Sequence, residues 1–177
     1  MKIKSFQTYL FLSVILFAAS CSSHSGLHKS TAGSHNTHDS HLMKVNERGD
    51  KAMGFSHEKT THHFRLLTDG GAIEVTANDP QDAVSRDQIR KHLSHIAQMF
   101  ASGNFDAPLL THGKTPPGVP VLQKLKPEID YAYKEFERGG QVRIKTSNQE
   151  ALPAIHEFLR FQINDHQTSN SLEVAKE

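Results

Sequence analysis

Hydrophobic and polar residues alternate in four short segments, which is the pattern of β-strands with one buried face. Residues 61–67 and 72–76 form the first pair, and the DGG sequence at 69–71 between them is a strong hairpin signal. Residues 129–133 and 142–144 form the second pair, joined by ERGG at 137–140. The pattern therefore predicts two β-hairpins.

Each predicted hairpin is followed by apolar residues at helical intervals. The first stripe predicts an amphipathic helix that ends near Ser102, and the second predicts a helix over residues 152–163. The two stripes consist of Ile89, Leu93, Ile96 and Phe100, and of Leu152, Ile155, Leu159 and Ile163.

The two halves align around their turns, DGGAIEVTAND against RGGQVRIKTSN. This similarity indicates a duplicated β-β-α unit, with chance similarity of two hairpins as the alternative. Two such units predict an α+β fold, in which a four-stranded antiparallel sheet carries both helices on one face. We expect the folded domain to span residues 52–168 and residues 169–177 to form a disordered tail.

A segment rich in glycine and proline, residues 103–127, separates the two units. Its composition predicts a stiff connector or a functional loop. A short helix is expected over residues 119–125, and Pro127 argues against its extension because proline disrupts a helix interior.

The N-terminal 21 residues have the layout of a secretory signal. Lys2 and Lys4 precede an apolar run at 9–19, which is too short for a comfortable membrane span. The sequence AASC at 18–21 resembles a bacterial lipobox, so Cys21 is the predicted site of lipidation, with simple cleavage or an uncleaved anchor as alternatives. Ser22 after the cysteine is typical of outer-membrane lipoproteins. We therefore expect a periplasm-facing lipoprotein of the bacterial envelope, attached to the membrane by its lipid.

Residues 22–51 are mostly small and polar, which predicts a flexible tether. Five histidines in this segment could collect metal ions loosely, or could simply be tolerated polar residues. They are His24, His28, His35, His38 and His41.

Charge and cysteine content exclude several classes of function. Removal of Lys2 and Lys4 with the signal leaves 18 basic residues against 19 acidic ones, so no basic surplus indicates a nucleic-acid partner. Cys21 is the single cysteine, which excludes an internal disulfide and a thiol nucleophile in the domain. No P-loop, Gly-x-Ser-x-Gly elbow or His-Glu-x-x-His helix is present. We therefore favour a binding protein and leave an enzyme as the open alternative.

The first helix predicts a metal site. His92, His95 and Met99 lie at spacings of three and four beside the apolar stripe, so their side chains are neighbours. Two imidazoles and a thioether suit copper, and imidazoles also suit zinc. His62, His63 or His112 could complete the ligand set. The alternative is that these residues only pack and hydrogen-bond at the edge of the core.

Two other functions remain open. The same histidines could serve an enzyme or a small-anion site, with Arg65, Arg90 or Lys114 binding a carboxylate or phosphate. The domain could also be an envelope interaction module that takes no small ligand and no cofactor.

Eight sequence elements occur together between about residue 48 and residue 166: GF at 54–55, KTTHHF at 59–64, DGGAI at 69–73, SRD at 85–87, His92, HIA at 95–97, TPPGV at 115–119 and FLRFQ at 158–162. With these elements the chain resembles a family of small exported bacterial proteins, some of which are labelled aspartate carbamoyltransferase. The chain lacks that enzyme's Ser-Thr-Arg-Thr-Arg phosphate loop and its His-Pro-x-Gln segment, so the resemblance implies no mechanism.

Overall fold

The computed structural model describes residues 35–175, with side chains from Asp39 onward. The predicted signal, Cys21 and the first part of the predicted tether lie outside these residues. Five helices and five strands follow one another: α1 (His35–Met53), β1 (Thr60–Leu67), β2 (Gly70–Ala77), α2 (Ala83–Ser102), α3 (Asp106–His112), α4 (Val119–Lys124), β3 (Ile129–Phe136), β4 (Gly139–Thr146), α5 (Ala151–Asp165) and β5 (Val174–Ala175). Short 3-10 turns precede β1 and β3.

The strands form one mixed sheet in the order β3-β4-β2-β1-β5. The first four strands are antiparallel to their neighbours, and β2 meets β4 at the centre with Ile73 opposite Val142. The α+β class and both predicted hairpins are confirmed. The prediction of a four-stranded, purely antiparallel sheet is wrong by one strand, because β5 pairs in parallel with the end of β1.

The fifth strand comes from the segment that was predicted to be disordered. Asn170 Oδ1 accepts a hydrogen bond of 2.9 Å from the Phe64 backbone N–H, and Val174 pairs with Leu66. These contacts satisfy part of the free edge of β1. The tail is too polar for its own sequence to predict this pairing, which depends on the edge that β1 presents.

Both long helices of the two β-β-α units cover one face of the sheet. α2 packs mainly on β3 and β4, whereas α5 packs mainly on β1 and β2. Each helix therefore packs mainly on the strands of the other unit and to a smaller extent on a strand of its own unit. The two units share one core. Fully buried side chains at this interface include Ile89, Leu93, Val142, Ile144, Ile155 and Leu159.

The predicted tether is wrong from residue 35 onward, because α1 occupies residues 35–53. Val45 on this helix is fully buried, and Gly49 is buried where the helix passes close to Thr111 of α3. Arg48 Nε also donates a 2.8 Å hydrogen bond to the Thr111 carbonyl oxygen. Contacts with α3 thus stabilise α1, a helix that the local composition does not predict. The folded domain begins well before residue 52.

The segment between the units contains more helix than expected. α4 occupies the position predicted for a short helix, but α3 over residues 106–112 was not predicted. Gly113 ends α3 with a φ of 68°, and Gly118 precedes α4 with a φ of 81°. Within residues 35–175, no helix combines the length and apolarity needed to cross a bilayer.

Candidate functional site

A cavity of about 70 Å³ lies between the sheet, α2, α5 and the ends of α1 and α3. Its wall is mostly apolar core, and Phe64, Ile73 and Phe158 are part of it. The residues that give the cavity its chemistry are Met53, His62, His92, His112, Gln162 and His166.

Each of the polar lining residues is placed by a different element. His62 alternates with Phe64 on the inner face of β1, and His92 precedes the buried Leu93 on α2. Three helix ends reach the cavity: Met53 is the last residue of α1, His112 is the last of α3, and His166 is the C-cap of α5.

The imidazole rings lie in contact with one another and with phenylalanine rings. The His62 and His166 rings stack with centroids 5.6 Å apart and an interplanar angle of 8°. The His112 ring meets the His166 ring edge-on at 5.0 Å. Phe55 lies beside both the His62 ring and the His92 ring, at 6.1 and 5.5 Å. Aromatic packing therefore holds the imidazoles around one small space.

Three of these imidazoles have no hydrogen-bond partner on their ring nitrogens within the described part of the chain: His62, His92 and His166. Burial and the neighbouring histidines lower the pKa of His62 to about 4 and that of His92 to about 4. The same causes lower the pKa of His166 to about 3. All three rings are therefore neutral at physiological pH, and each offers one lone pair.

His112 differs because both of its nitrogens are engaged. Its Nδ1 lies 2.6 Å from Asp165 Oδ2, and its Nε2 lies 2.9 Å from Gln162 Oε1. His41 of α1 reaches the same carboxylate, with Nε2 3.0 Å from Oδ1. Burial raises the Asp165 pKa, but the hydrogen bonds from His112 and His41 outweigh it and leave the pKa below its usual range. His112 is thus a fixed part of the cavity wall.

Gln162 completes that wall with an unused donor. The residue is only 4% exposed, and its Nε2 has no hydrogen-bond partner among the described residues. Buried amide groups are nearly always paired, so this nitrogen marks a position where a bound molecule or water could accept a hydrogen bond.

The structure brings three of the six predicted metal ligands, His62, His92 and His112, to this cavity. The other three lie elsewhere. His95 is exposed on α2, Met99 packs against the core away from the cavity, and His63 Nδ1 lies 3.3 Å from Asn170 Nδ2.

None of the three cations proposed for an anion site lines the cavity. Arg65 pairs with Glu74 at 2.7 Å on the strands. Arg90 donates to backbone carbonyl oxygens of the β3–β4 hairpin, including Phe136 O at 2.5 Å. Lys114 lies over the Phe161 ring, 5.0 Å from its centroid.

Sequence reasoning missed His166, Gln162 and Met53. The stripe of α5 contains a signal for two of them, because 155, 159, 162 and 166 continue one helical face. Met53 gave no such signal, since its helix was not predicted.

Among residues 39–175, no group of three or more His, Cys, Asp or Glu side chains is arranged to hold a metal ion as it stands. No family model, curated protein or solved structure matches the chain.

Proposed function

We propose that this protein is an exported metal-binding domain that takes one transition metal ion, copper or zinc, on the imidazoles of His62, His92 and His166. One observation carries the proposal: three imidazoles line a single cavity and none has a hydrogen bond on its ring nitrogens within the described residues. A metal ion would engage the three lone pairs together.

The charge state of the rings supports metal binding. Imidazole must be neutral to coordinate, and protons compete with the metal where the pKa lies near the ambient pH. The lowered pKa values of these three histidines remove that competition at neutral pH. Histidines that only bordered the core would be expected to hydrogen-bond a neighbour.

The helix ends supply a favourable field for a cation. A helix C-terminus carries a partial negative charge that stabilises a nearby positive charge. The long helices α1 and α5 both end at the cavity, at Met53 and His166. Their dipoles therefore favour a cation over an anion in this space, which also weighs against the small-anion alternative.

Coordination requires limited side-chain movement. Two imidazoles bound to a tetrahedral ion at about 2.1 Å have ring centres roughly 5 Å apart. The His62 and His166 centroids are 5.6 Å apart, but the rings stack and do not point at a common centre. Rotation about the side-chain torsions would turn the nitrogens inward while the backbone stays in place.

The proposed location rests on the N-terminal sequence. A lipid on Cys21 would hold the domain at the outer membrane, facing the periplasm, and the histidines that follow could collect metal loosely near it. This part of the proposal is tested separately, by asking whether a Cys21→Ser variant loses radiolabelled palmitate incorporation in bacteria.

Metal titration of the whole chain tests the metal site. Copper(I), copper(II) and zinc(II) are added in competition with a chelator of known affinity, which keeps weak sites empty. We expect one-to-one binding that weakens by about a hundredfold or more in a His92→Ala/His166→Ala variant. The matched control, His63→Ala/His95→Ala, removes two histidines outside the cavity and should bind as the wild type does.

Equal binding by both double variants would contradict the proposal and assign the metal to other histidines. Circular dichroism and thermal unfolding without metal, measured on both variants, establish that each is folded before its affinity is compared.

A second candidate is a small uncharged ligand with an oxygen acceptor. The unpaired Nε2 of Gln162 favours it, because such a ligand would accept that hydrogen bond. A volume of about 70 Å³ has room for a few waters or a very small molecule, since one water needs roughly 10–15 Å³. A wild-type chain without metal affinity would turn attention to this ligand class or to a protein partner.

A further inference from the structure

We infer that the thioether of Met53 is a further ligand of the proposed metal site and makes that site prefer copper(I) to zinc(II). The inference rests on the proposed function, and it differs from the sequence prediction, which gave the thioether role to Met99. Met53 lines the same cavity as His62, His92 and His166, whereas Met99 does not.

The position of Met53 is fixed by the end of its helix. Gly54 follows it with a φ of 80°, and the Gly54 N–H donates a 2.9 Å hydrogen bond to the Asp50 carbonyl oxygen. The missing side chain of Gly49 leaves space beside Met53, because a Cβ there would lie 3.3 Å from the Met53 methyl carbon. This packing keeps the Met53 side chain beside the cavity.

Met53 also borders the surface. A groove beside the cavity is lined by Met53, Gly54, Lys91, His92 and the exposed His95. Met53 and His92 are common to the groove and the cavity, so the two side chains lie between these spaces. An ion that reached the groove would meet the imidazoles of His92 and His95 and the thioether of Met53 before it entered the cavity.

The ligand chemistry favours a soft ion of low charge. Thioether and imidazole ligands suit copper(I), whereas zinc(II) gains little from a thioether. The four side chains are all uncharged, and the cavity wall is mostly apolar. A doubly charged ion without an anionic ligand is costly to transfer into such surroundings, and a singly charged ion is less so.

A purely structural role for Met53 is the alternative, since methionine often fills gaps in a core. The chain provides a matched comparison. Met53 and Met99 are both partly buried and both pack against the same core, but only Met53 reaches the cavity. Replacing each with leucine changes the volume little and removes the sulfur.

The test measures copper(I) and zinc(II) affinity in the whole chain by chelator competition for the wild type, Met53→Leu and Met99→Leu. All three carry Cys21→Ser, because the cysteine thiolate would itself bind copper(I) through its sulfur. We expect Met53→Leu to weaken copper(I) binding by about tenfold or more. Zinc(II) affinity should stay within about twofold of the wild type, because zinc gains little from the thioether. Met99→Leu should match the wild type for both ions. X-ray absorption of the copper(I)-loaded wild type should show a sulfur scatterer that disappears in Met53→Leu.

The outcomes separate this inference from the proposed function. A wild type that binds neither ion would overturn both. Copper(I) binding that is lost in His92→Ala/His166→Ala but unchanged in Met53→Leu would overturn only the role of Met53. Should Met53→Leu fail to fold, absence of sulfur scattering from the copper-loaded wild type would still overturn the inference, and its presence there, retained in Met99→Leu, would support it.

Discussion

The metal-free domain should lose stability between pH 7 and pH 5, and His166 should account for a measurable share of that loss. Burial, together with the nearby His62 and His112, lowers the folded-state pKa of His166 to about 3. Asp165 opposes the shift and His57 adds slightly to it. In the unfolded chain the same imidazole has a pKa of about 6.5.

The sign and size of this stability loss follow from the difference in proton binding between the folded and unfolded states. At pH 5 the unfolded state binds a proton at residue 166 and the folded state does not, so acid favours unfolding. The contribution of His166 to the free energy of unfolding is fully present above about pH 6.5 and decreases as the pH falls toward 3. The loss between pH 7 and pH 5 is about 2 kcal/mol for one such histidine. His62 and His92 also have lowered pKa values, so their protonation in the unfolded chain acts in the same direction.

Urea unfolding at pH 7 and pH 5, with a chelator present, measures this loss in the free energy of unfolding. A His166→Asn variant cannot protonate at that position, so its loss between the two pH values should be about 2 kcal/mol smaller than that of the wild type. His95→Asn is the control, because that residue is exposed. Asp165, with its lowered pKa, contributes its own loss only near and below pH 4, outside this window. Equal losses in His166→Asn and the wild type would refute the reasoning.

Four further substitutions test how the fold is held together around the cavity. His156→Ala removes hydrogen bonds of 2.9 and 3.0 Å to the carbonyl oxygens of the β1–β2 turn and should cost about 2 to 4 kcal/mol in urea unfolding; an unchanged midpoint would contradict this role. In thermal unfolding, Gly118→Ala should cost roughly 3 kcal/mol or more, because its Cβ would lie 2.2 Å from a backbone oxygen of α5. Gly54→Ala, with a similar positive φ but open surroundings, should cost about 1 kcal/mol. Val45→Ala should cost roughly 1 to 3 kcal/mol, whereas a free tether at residues 35–51 would leave stability unchanged.

The hairpins and their helices could be predicted because their signals are local. Alternation of apolar residues and a glycine turn determine β1 and β2 without reference to the rest of the chain. α1, α3 and β5 could not be predicted, because each depends on a surface that exists only in the folded domain. α1 contains few apolar residues, and on the part whose side chains are described, from Asp39 onward, its buried positions are Val45 and Gly49. Two buried positions one turn apart are too few to show a helical period in the sequence.

The same distinction explains which site residues were found. His92 and His62 belong to elements with clear periodicity, and their neighbours Leu93 and Phe64 showed which face was inward. His95 was grouped with His92 because i,i+3 spacing makes side chains adjacent on a helix, but adjacency does not decide which of the two meets the core. The residues that close the cavity lie where helices end, and the direction in which a chain leaves a helix is set by tertiary contacts. A site built from helix ends therefore combines residues that are far apart in sequence. Its ligands can be identified only in the folded domain, where the ends of α1, α3 and α5 lie together.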